Sequence, residues 1–198
     1  MKRQIIKSSA LLVFTLLIFN IECHAEKNPF YFGFTLMHSL ENLDSANTEK
    51  KYEVPVDIDF DNSFGFQFRA GLIFNEFFSA EAMFEYIFPF EDDGENQSSE
   101  IDVINIGING KAKYQTPSAF QPYFLVGLGL VNSKEETKYK AFSTSQTNWG
   151  FSTKLGIGLD IFITPKLFTG LGLSHTFGIG NVDYVKYTNL SLGINYRF

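Results

Sequence analysis

Hydrophobic and polar residues alternate along much of this chain, and the pattern is clearest over its last ten residues. One set of alternate positions is apolar: Leu190, Leu192, Ile194, Tyr196 and Phe198. The positions between them carry small or polar residues, from Asn189 to Arg197. Because successive side chains of a strand point to opposite faces, this segment predicts a β-strand with one apolar and one polar face.

The same alternation predicts seven earlier strands. With the last one they cover residues 30–40, 64–74, 78–88, 104–114, 124–130, 151–161, 167–173 and 189–198. Most are close to the ~9–11 residues that a tilted strand needs to cross a bilayer. The predicted connections are short at 75–76, 115–121 and 164–166, and mostly longer near 41–56, 89–100, 132–147 and 178–183. Short periplasmic turns and longer external loops are typical of outer-membrane barrels.

The aromatic content supports lipid-facing strands. Phe, Trp and Tyr make up 17% of the chain, and Phe alone occurs 23 times. Since a bilayer offers no water to unpaired backbone groups, spanning strands must close into a barrel. We therefore predict an all-β fold, an eight-stranded antiparallel up-and-down transmembrane β-barrel. A soluble barrel with the Phe-rich face turned inward is the alternative, and it is less consistent with the glycine-rich polar face.

The first 25 residues have the parts of a secretory signal peptide. A positive region at residues 2–7 precedes an apolar core at residues 11–19, which is interrupted at Thr15. Cleavage is predicted after Ala25, so that Glu26 becomes the first residue of the mature chain. We therefore divide the sequence into a signal peptide, 1–25, and an outer-membrane barrel domain, 26–198.

Cys23 is the only cysteine and lies within this leader. A lipoprotein acylated at Cys23 is the alternative, but Ile21 and Glu22 are poor residues to precede a lipidated cysteine. Removing the leader takes away three positive charges and one negative charge, so the net charge of −6 becomes −8. The mature chain then has no thiol chemistry, and its acidic balance argues against binding to nucleic acid.

We expect no cofactor and no bound metal. Asp57, Asp59 and Asp61 would share one face of a strand and could attract a cation. They do not form a calcium loop, because Asn62 stands where the loop needs Gly and Phe68 where it needs Glu. We interpret the three carboxylates as a solvated face of the second strand above the membrane.

The interior of an eight-stranded barrel is just wide enough for side chains to fill it. The predicted inward polar residues are Gln67, Arg69, Glu81, Glu85, Asn105, Asn109, Lys111, Lys113, Lys154 and Asp160. Because buried charges need partners, we predict an ion-pair network among some of them. Its members are Arg69, Glu81, Glu85, Lys111 and Lys154. Arg69 and Glu81, each six residues from Asn75, are predicted to face each other across a hairpin. The alternative places some of these charges near the barrel mouths, in water.

The positions of the glycine and aromatic residues also fit a transmembrane barrel with a filled interior. Gly-x-Gly pairs at 127–129, 156–158 and 170–172 fall within strand periodicity, so we interpret them as space for bulky inward neighbours rather than nucleotide loops. Other aromatic residues cluster near strand ends, where outer-membrane barrels carry aromatic girdles. They are Tyr31, Tyr86, Tyr114, Tyr123, Trp149, Tyr184, Tyr187 and Tyr196.

The leader, the eight alternating segments, the glycine-rich later strands and the final Tyr196-Arg197-Phe198 together resemble the small OmpA-like outer-membrane β-barrel family. The resemblance covers the whole mature chain. It implies that the barrel-assembly machinery reads Phe198, with Tyr196 in support. It also implies an integral protein of the outer membrane, in contact with its lipid and lipopolysaccharide.

The sequence favours a structural or surface-interaction role, adhesin-like or for envelope integrity, with an extracellular ligand bound at the loops. A small porin-like channel for ions or small apolar molecules is the first alternative. A lipid A-modifying enzyme is the second, and Ser174 and His175 are its candidate residues. Adjacent strand residues point to opposite faces, so Ser174 and His175 cannot act together as nucleophile and base. His38 is similarly isolated, and we predict no enzyme activity.

Overall fold

The computed structural model describes residues 29–41, 61–93, 97–139 and 142–198. The predicted signal peptide with its cleavage site, Ala25 and Glu26, lies outside the described residues. Asp57 and Asp59 also lie outside them, while Asp61 is described and exposed.

The described chain forms eight β-strands. They are β1 (Phe30–Glu41), β2 (Ser63–Ile73), β3 (Phe78–Asp93), β4 (Gln97–Lys113), β5 (Phe120–Tyr139), β6 (Phe142–Phe162), β7 (Leu167–Ile179) and β8 (Lys186–Arg197). Each strand pairs antiparallel with its neighbour in sequence, and β1 pairs with β8 to close the barrel. Within these ranges there is no helix long and apolar enough to cross a membrane. The predicted eight-stranded up-and-down barrel is confirmed.

The strands are staggered as they pass round the barrel. Following paired residues once round from Leu40 on β1 leads back to Phe30 on the same strand, a stagger of ten residues. Stagger and strand number together set the tilt and the width of a closed barrel. Eight strands leave an interior that side chains fill, so the inward residues of neighbouring and opposite strands come into contact.

Burial alternates along each strand as the sequence pattern predicts. The outward side chains are large, apolar and exposed, as on β1, where Phe30, Phe32 and Leu36 are each more than half exposed. The inward side chains of the same strand, such as Tyr31 and Thr35, are buried. An apolar outer band around a polar interior is the arrangement that a lipid bilayer requires of a barrel.

Short turns close one end of the barrel. In the β2–β3 turn the Asn75 side chain accepts hydrogen bonds from the backbone N–H groups of Phe77 and Phe78, at 2.9 and 2.8 Å. Thr164 accepts one from the N–H of Leu167 at 2.9 Å in the β6–β7 turn. Turns of this length mark the periplasmic end of outer-membrane barrels, which places the N-terminal end of β1 and Phe198 on that side.

The longer connections predicted at 89–100 and 132–147 are wrong, because β3 to β6 continue through them. β3 pairs with β4 as far as Asp93 and Ser98, and β5 pairs with β6 as far as Tyr139 and Phe142. The register shifts between Ile87 and Phe90, which interrupts the alternation at this point. Above the bilayer both faces of these strands are polar, so the sequence there has no apolar periodicity to indicate a strand.

The predicted pairing of Arg69 with Glu81 is also wrong in register. Arg69 lies opposite Met83, and Glu81 lies opposite Gly71. The turn is centred one residue later than predicted, because the Asn75 side chain holds the backbone of Phe77 and Phe78. A shift of one residue in the centre moves each partner by two positions, so both side chains stay on the inner face.

The two faces of β4 provide a test of how closely the interior is packed. A Cβ at inward Gly107 would meet the backbone at Gly129 Cα, 2.8 Å away, whereas one at lipid-facing Gly110 meets nothing nearer than 3.9 Å. We expect Gly107→Ala to lower the free energy of unfolding by about 1–3 kcal/mol, as overpacking does. Gly110→Ala should leave it unchanged. Urea unfolding followed by heat-dependent gel migration measures both, and equal midpoints would contradict close packing.

Candidate functional site

All ten polar residues predicted to face inward are buried in the lumen, none with more than 8% of its surface exposed. They come from β2, β3, β4 and β6. Their contacts divide into two clusters, which we call the lower cluster, nearer the periplasmic turns, and the upper cluster. The predicted network therefore exists as two separate groups of ion pairs rather than one.

The lower cluster is built around Lys111 on β4. Its ammonium contacts the two carboxylate oxygens of Asp160 at 2.8 and 2.9 Å and lies 3.7 Å from the carboxylate of Glu81. Arg69 approaches the other side of Glu81, at 4.0 Å. The hydroxyl of Tyr31 donates a hydrogen bond to Glu81 as well. Arg69, Glu81, Lys111 and Asp160 thus each lie near at least one opposite charge, which offsets the cost of desolvation. Lys113 is also buried, and its ammonium lies 5.9 Å from the centre of the Tyr31 ring.

The upper cluster is built around Glu85 on β3. Its carboxylate forms an ion pair with Lys154 and accepts hydrogen bonds from Gln67 at 2.9 Å and from the Tyr187 hydroxyl at 2.7 Å. Asn105 extends the cluster, since its amide donates to Tyr187 and its carbonyl accepts from a serine of β6. Glu85 therefore pairs with Lys154, while Arg69 and Lys111 pair with Glu81.

Sequence reasoning missed Asp160 as a member of the network, although it counted this residue among the inward ones. It also assigned Tyr31, Tyr123, Tyr184 and Tyr187 to the aromatic girdles, which is wrong, since all four point inward. The signal was available: Tyr31 alternates with Phe30 and Phe32 and so lies on the polar face. The other predicted girdle residues, Tyr86, Tyr114, Trp149 and Tyr196, do lie on the outward face.

Inward glycines give these side chains their room. A Cβ at Gly127 would collide with the amide oxygen of Asn109, and one at Gly129 would meet the hydroxyl of Ser152 at 2.8 Å. A Cβ at Gly158 would occupy the space of the Tyr123 ring. That ring lies 3.8 Å beneath the ammonium of Lys111. The glycine-rich strands therefore serve the polar interior, as their position in the pattern predicts.

An apolar layer closes the lumen above the upper cluster. The connection between β7 and β8 folds into the barrel mouth and buries Val182 and Val185 completely. They belong to one cluster with inward residues of β1, β3, β4 and β5: Met37, Ile87, Phe90, Ile101, Val103 and Val131. The Tyr184 hydroxyl donates to Ser133 at 3.3 Å and accepts from Asn148 at 3.1 Å. We call Val182, Tyr184 and Val185, together with the inward residues that pack against them, the outer plug.

The outer plug was not predicted, because residues 178–183 were interpreted as a surface loop. The available signal was the apolar character of Val182 and Val185 in so short a connection. Gly150 and Gly178 accommodate the plug, since a Cβ at either position would collide with Val182.

A second apolar layer lies below the lower cluster. The ring of Phe168 packs edge-on against Tyr31 at 5.5 Å between centroids and stacks on Phe162 at 5.0 Å. Ile73 completes this group, which we call the inner plug. The lumen is thus closed by two apolar layers with two layers of paired charge between them.

Outside the membrane, β3 to β6 form a projecting four-stranded sheet. β7 pairs with β6 only up to Phe151 and Ile179, so the segment 142–150 of β6 pairs with β5 alone among the described residues. Five carboxylates and one ammonium extend from this sheet where side chains are described: Glu91, Glu100, Asp102, Lys134, Glu135 and Glu136. The extracellular end of the barrel is therefore acidic and presents a strand edge.

The residues considered for catalysis are separated by the strand geometry. Ser174 points to the lumen side of β7, and His175 points outward, where its Nδ1 lies 2.8 Å from the hydroxyl of Thr188. His38 also points outward and packs against the ring of Phe64. In the described ranges no three His, Cys, Asp or Glu residues come together as metal ligands.

The sequence of residues 10–198 matches the family of the outer membrane protein beta-barrel domain. The chain belongs to this family. Its place in the outer membrane follows from this membership. No curated protein sequence matches the chain.

Solved structures of small outer-membrane barrels have a similar fold. Neisserial surface protein A is 16% identical, with a TM-score of 0.64 over 85% of this chain and 97% of its own. Ail of Yersinia pestis is 17% identical, with a TM-score of 0.56 over 86% and 97%. OprG of Pseudomonas aeruginosa is 16% identical, with a TM-score of 0.51 over 86% and 96%.

The two residues predicted to carry the assembly signal lie at the periplasmic end of the barrel. Tyr196 points outward on β8, and the backbone N–H of Phe198 donates to the carbonyl of Phe30 at 3.2 Å. The Phe198 ring contacts those of Tyr196 and Phe32 at 5.4 and 5.6 Å. Their reading by the assembly machinery stays a prediction.

The upper cluster can be tested by removing its cation. We expect Lys154→Met to lower the free energy of unfolding by about 3–5 kcal/mol, because Glu85 would be left buried without its ion-pair partner. Lys134→Met is the matched control, since the Lys134 ion pair with Glu136 is exposed, and it should not change stability measurably. Urea unfolding measures the free energy of unfolding of both variants. If Lys154→Met lost no more stability than Lys134→Met, the result would count against an ion-paired lumen.

Proposed function

We propose that this barrel is a membrane anchor that presents its projecting acidic sheet to a partner outside the cell. The single observation that carries this proposal is the division of the molecule into a closed interior and an elaborated extracellular end. Two plugs and two ion-paired clusters fill the lumen, while β3 to β6 extend well beyond β1, β2, β7 and β8. A role in contact with other surfaces fits this division better than a role in transport.

The chemistry of the sheet indicates the kind of partner. Its outer face carries Glu100, Asp102 and Glu136, and Lys134 is engaged with Glu136 in an ion pair. The net charge favours a basic partner, because complementary potentials steer association. Among the described residues the segment 142–150 of β6 pairs with β5 alone. A strand edge of this kind can accept an extended peptide as a further strand. We propose a basic polypeptide segment as the ligand.

A comparison with a structurally similar barrel makes the proposed charge of the partner more specific. Ail of Yersinia pestis is described in complex with the heparin analogue sucrose octasulfate, which is a polyanion. The acidic sheet of this chain would repel such a ligand. We therefore propose that the two barrels share a fold and differ in the charge of the partner.

Charge reversal on the sheet provides the test. We expect cells that display the barrel to be retained on immobilised poly-lysine and not on immobilised heparin, with retention falling as salt rises. The double variant Glu100→Lys and Glu136→Lys should reduce retention at least several-fold. Glu76→Lys, on the exposed periplasmic turn, is the matched control with no expected effect. If retention changed neither with charge reversal nor with salt, the result would contradict a role for the charge of the sheet.

A narrow channel is the second candidate, and one observation favours it. Several buried lumen atoms have no hydrogen-bond partner, among them Arg69 Nε, Glu81 Oε2 and Asn109 Oδ1. Buried polar groups of this kind are commonly satisfied by ordered water. Water around the lower cluster would still meet an apolar plug on either side, so we propose that the barrel does not conduct in its folded state.

Conductance in a planar bilayer distinguishes the two candidates. We expect no single-channel steps from the purified barrel, with its folded state shown by a heat-dependent gel shift, because the plugs leave no continuous polar path. Reproducible steps from folded protein would replace the anchor with the channel as the function.

Four further parts of the proposal concern export, assembly, lipid contact and catalysis. We propose that residues 1–25 direct export, that the assembly machinery binds Phe198 and Tyr196, and that the barrel contacts outer-membrane lipid and lipopolysaccharide. We propose no catalytic role, since the strand geometry separates Ser174 from His175. Deleting the protein should therefore leave the acyl pattern of lipid A unchanged in mass spectra of extracted lipid.

A further inference from the structure

Four polar side chains interrupt the apolar outer band on one side of the barrel. They are His38 on β1, Thr153 on β6, His175 on β7 and Thr188 on β8, and all four point outward. We call them the polar notch. Apolar residues flank His38, Thr153 and His175 on their own strands, as Leu36 and Leu40 flank His38. Thr188 lies between Leu190 and Lys186. The notch therefore lies in the extracellular half of the band, with Thr188 at its upper border.

The four residues form one continuous patch. His175 and Thr188 face each other across β7 and β8 and are joined at 2.8 Å. Thr188 pairs with Leu40, which places His38 two positions away on the same face of β1. His175 pairs with Leu155 in the same way, which places Thr153 next to it on β6. Diagonal neighbours of this kind lie about 7–8 Å apart. One small polar group between two of these side chains can therefore contact both.

A polar patch at this depth is costly unless something binds to it. Ionisable side chains that face the membrane are expensive and usually functional. His38 adds direct evidence, because its Nδ1 is buried and has no hydrogen-bond partner in the structure. The strands on the opposite side of the barrel carry apolar residues at comparable positions, such as Ile106 on β4 and Leu128 on β5. The notch is thus local to β6, β7, β8 and β1.

The charge above the notch indicates what it binds. Lys186 lies two positions beyond Thr188 on the outer face of β8, opposite Phe177. The acidic residues Glu100, Asp102 and Glu136 lie on β4 and β5, across the barrel from β8. Among the outward-facing strand residues described at this end, Lys186 therefore lies directly over the notch, and the carboxylates lie on the far side. Glu41, which pairs with Tyr187, and the exposed Asp183 also lie at the rim near Lys186. A ligand that is anionic at the level of Lys186 and lies in the outer leaflet satisfies both observations.

We propose that the polar notch and Lys186 bind the phosphate-bearing head group of an outer-leaflet glycolipid. Lys186 pairs with the phosphate, and the histidines and threonines hydrogen-bond to the hydroxyl and amide groups just beneath it. The acyl chains then run down the apolar side chains of β8 and β1, such as Leu192 and Phe34. This binding site rests on the proposed contact with lipopolysaccharide. It is independent of any partner at the projecting sheet, so the sheet and the notch can fail separately.

Thermal unfolding of the full barrel in mild detergent tests the site, with diphosphorylated lipid A as the probe. We expect lipid A to raise the unfolding temperature, because a ligand that binds only the folded state stabilises it. Dephosphorylated lipid A and inorganic phosphate should each raise it much less. Lys186→Gln and His175→Leu should each lose more than half of the lipid A shift.

Thr169→Val is the matched control, because Thr169 also points outward on β7 but its hydroxyl is satisfied by the carbonyl of Gly193 at 2.7 Å. It should keep the full shift. If a notch variant fails to fold, His175→Asn and Thr188→Val measure the same site with smaller changes. An equal lipid A shift in wild type and notch variants would overturn the proposal. So would a full shift with inorganic phosphate alone, or loss of an acyl chain from the added lipid A.

Discussion

The requirement that every backbone polar group find a partner within the bilayer determines the rest of this structure. The pairing of β1 with β8 meets it, since an open edge in lipid would leave a row of unpaired N–H and C=O groups. Closure with eight strands and a stagger of ten residues then makes the interior narrow. Every inward residue must fit beside those of the other strands, which explains both the glycines and the paired charges.

The inward glycines and the buried ion pairs depend on each other in the packing of the lumen. Long side chains such as Arg69 and Lys154 pass close to positions that lack a Cβ, Gly193 for Arg69 and Gly127 for Lys154. Their charges must be neutralised, because unpaired buried charge is strongly destabilising. The apolar plugs above and below keep solvent from these pairs, and lower local polarity strengthens each contact.

The sequence was sufficient for the architecture and for the direction of the ten inward polar residues, because period-two alternation reports a face directly. Tyr31 was placed wrongly in a girdle, because its location near a strand end was given more weight than its position in the alternation. Pairing within the lumen was harder to predict. Arg69 and Glu81 were displaced by two positions because a turn side chain, Asn75, moved the hairpin centre. The outer plug was missed because its residues belong to a connection, where no periodicity relates Val182 to the barrel wall.

The positions of the polar residues separate the parts of the molecule that hold it together from those that we propose contact other molecules. Inside the lumen, Arg69, Lys111 and Lys154 each lie beside a carboxylate, so most of the buried charge is balanced within the barrel. Outside, three features carry the proposals for binding: the acidic face of the projecting sheet, the edge of β6 and the polar notch. Each lies where a different environment meets the barrel, whether the extracellular solution or the outer leaflet. A barrel with a sealed interior can act on its surroundings only through such outer surfaces, and its chemistry is concentrated there.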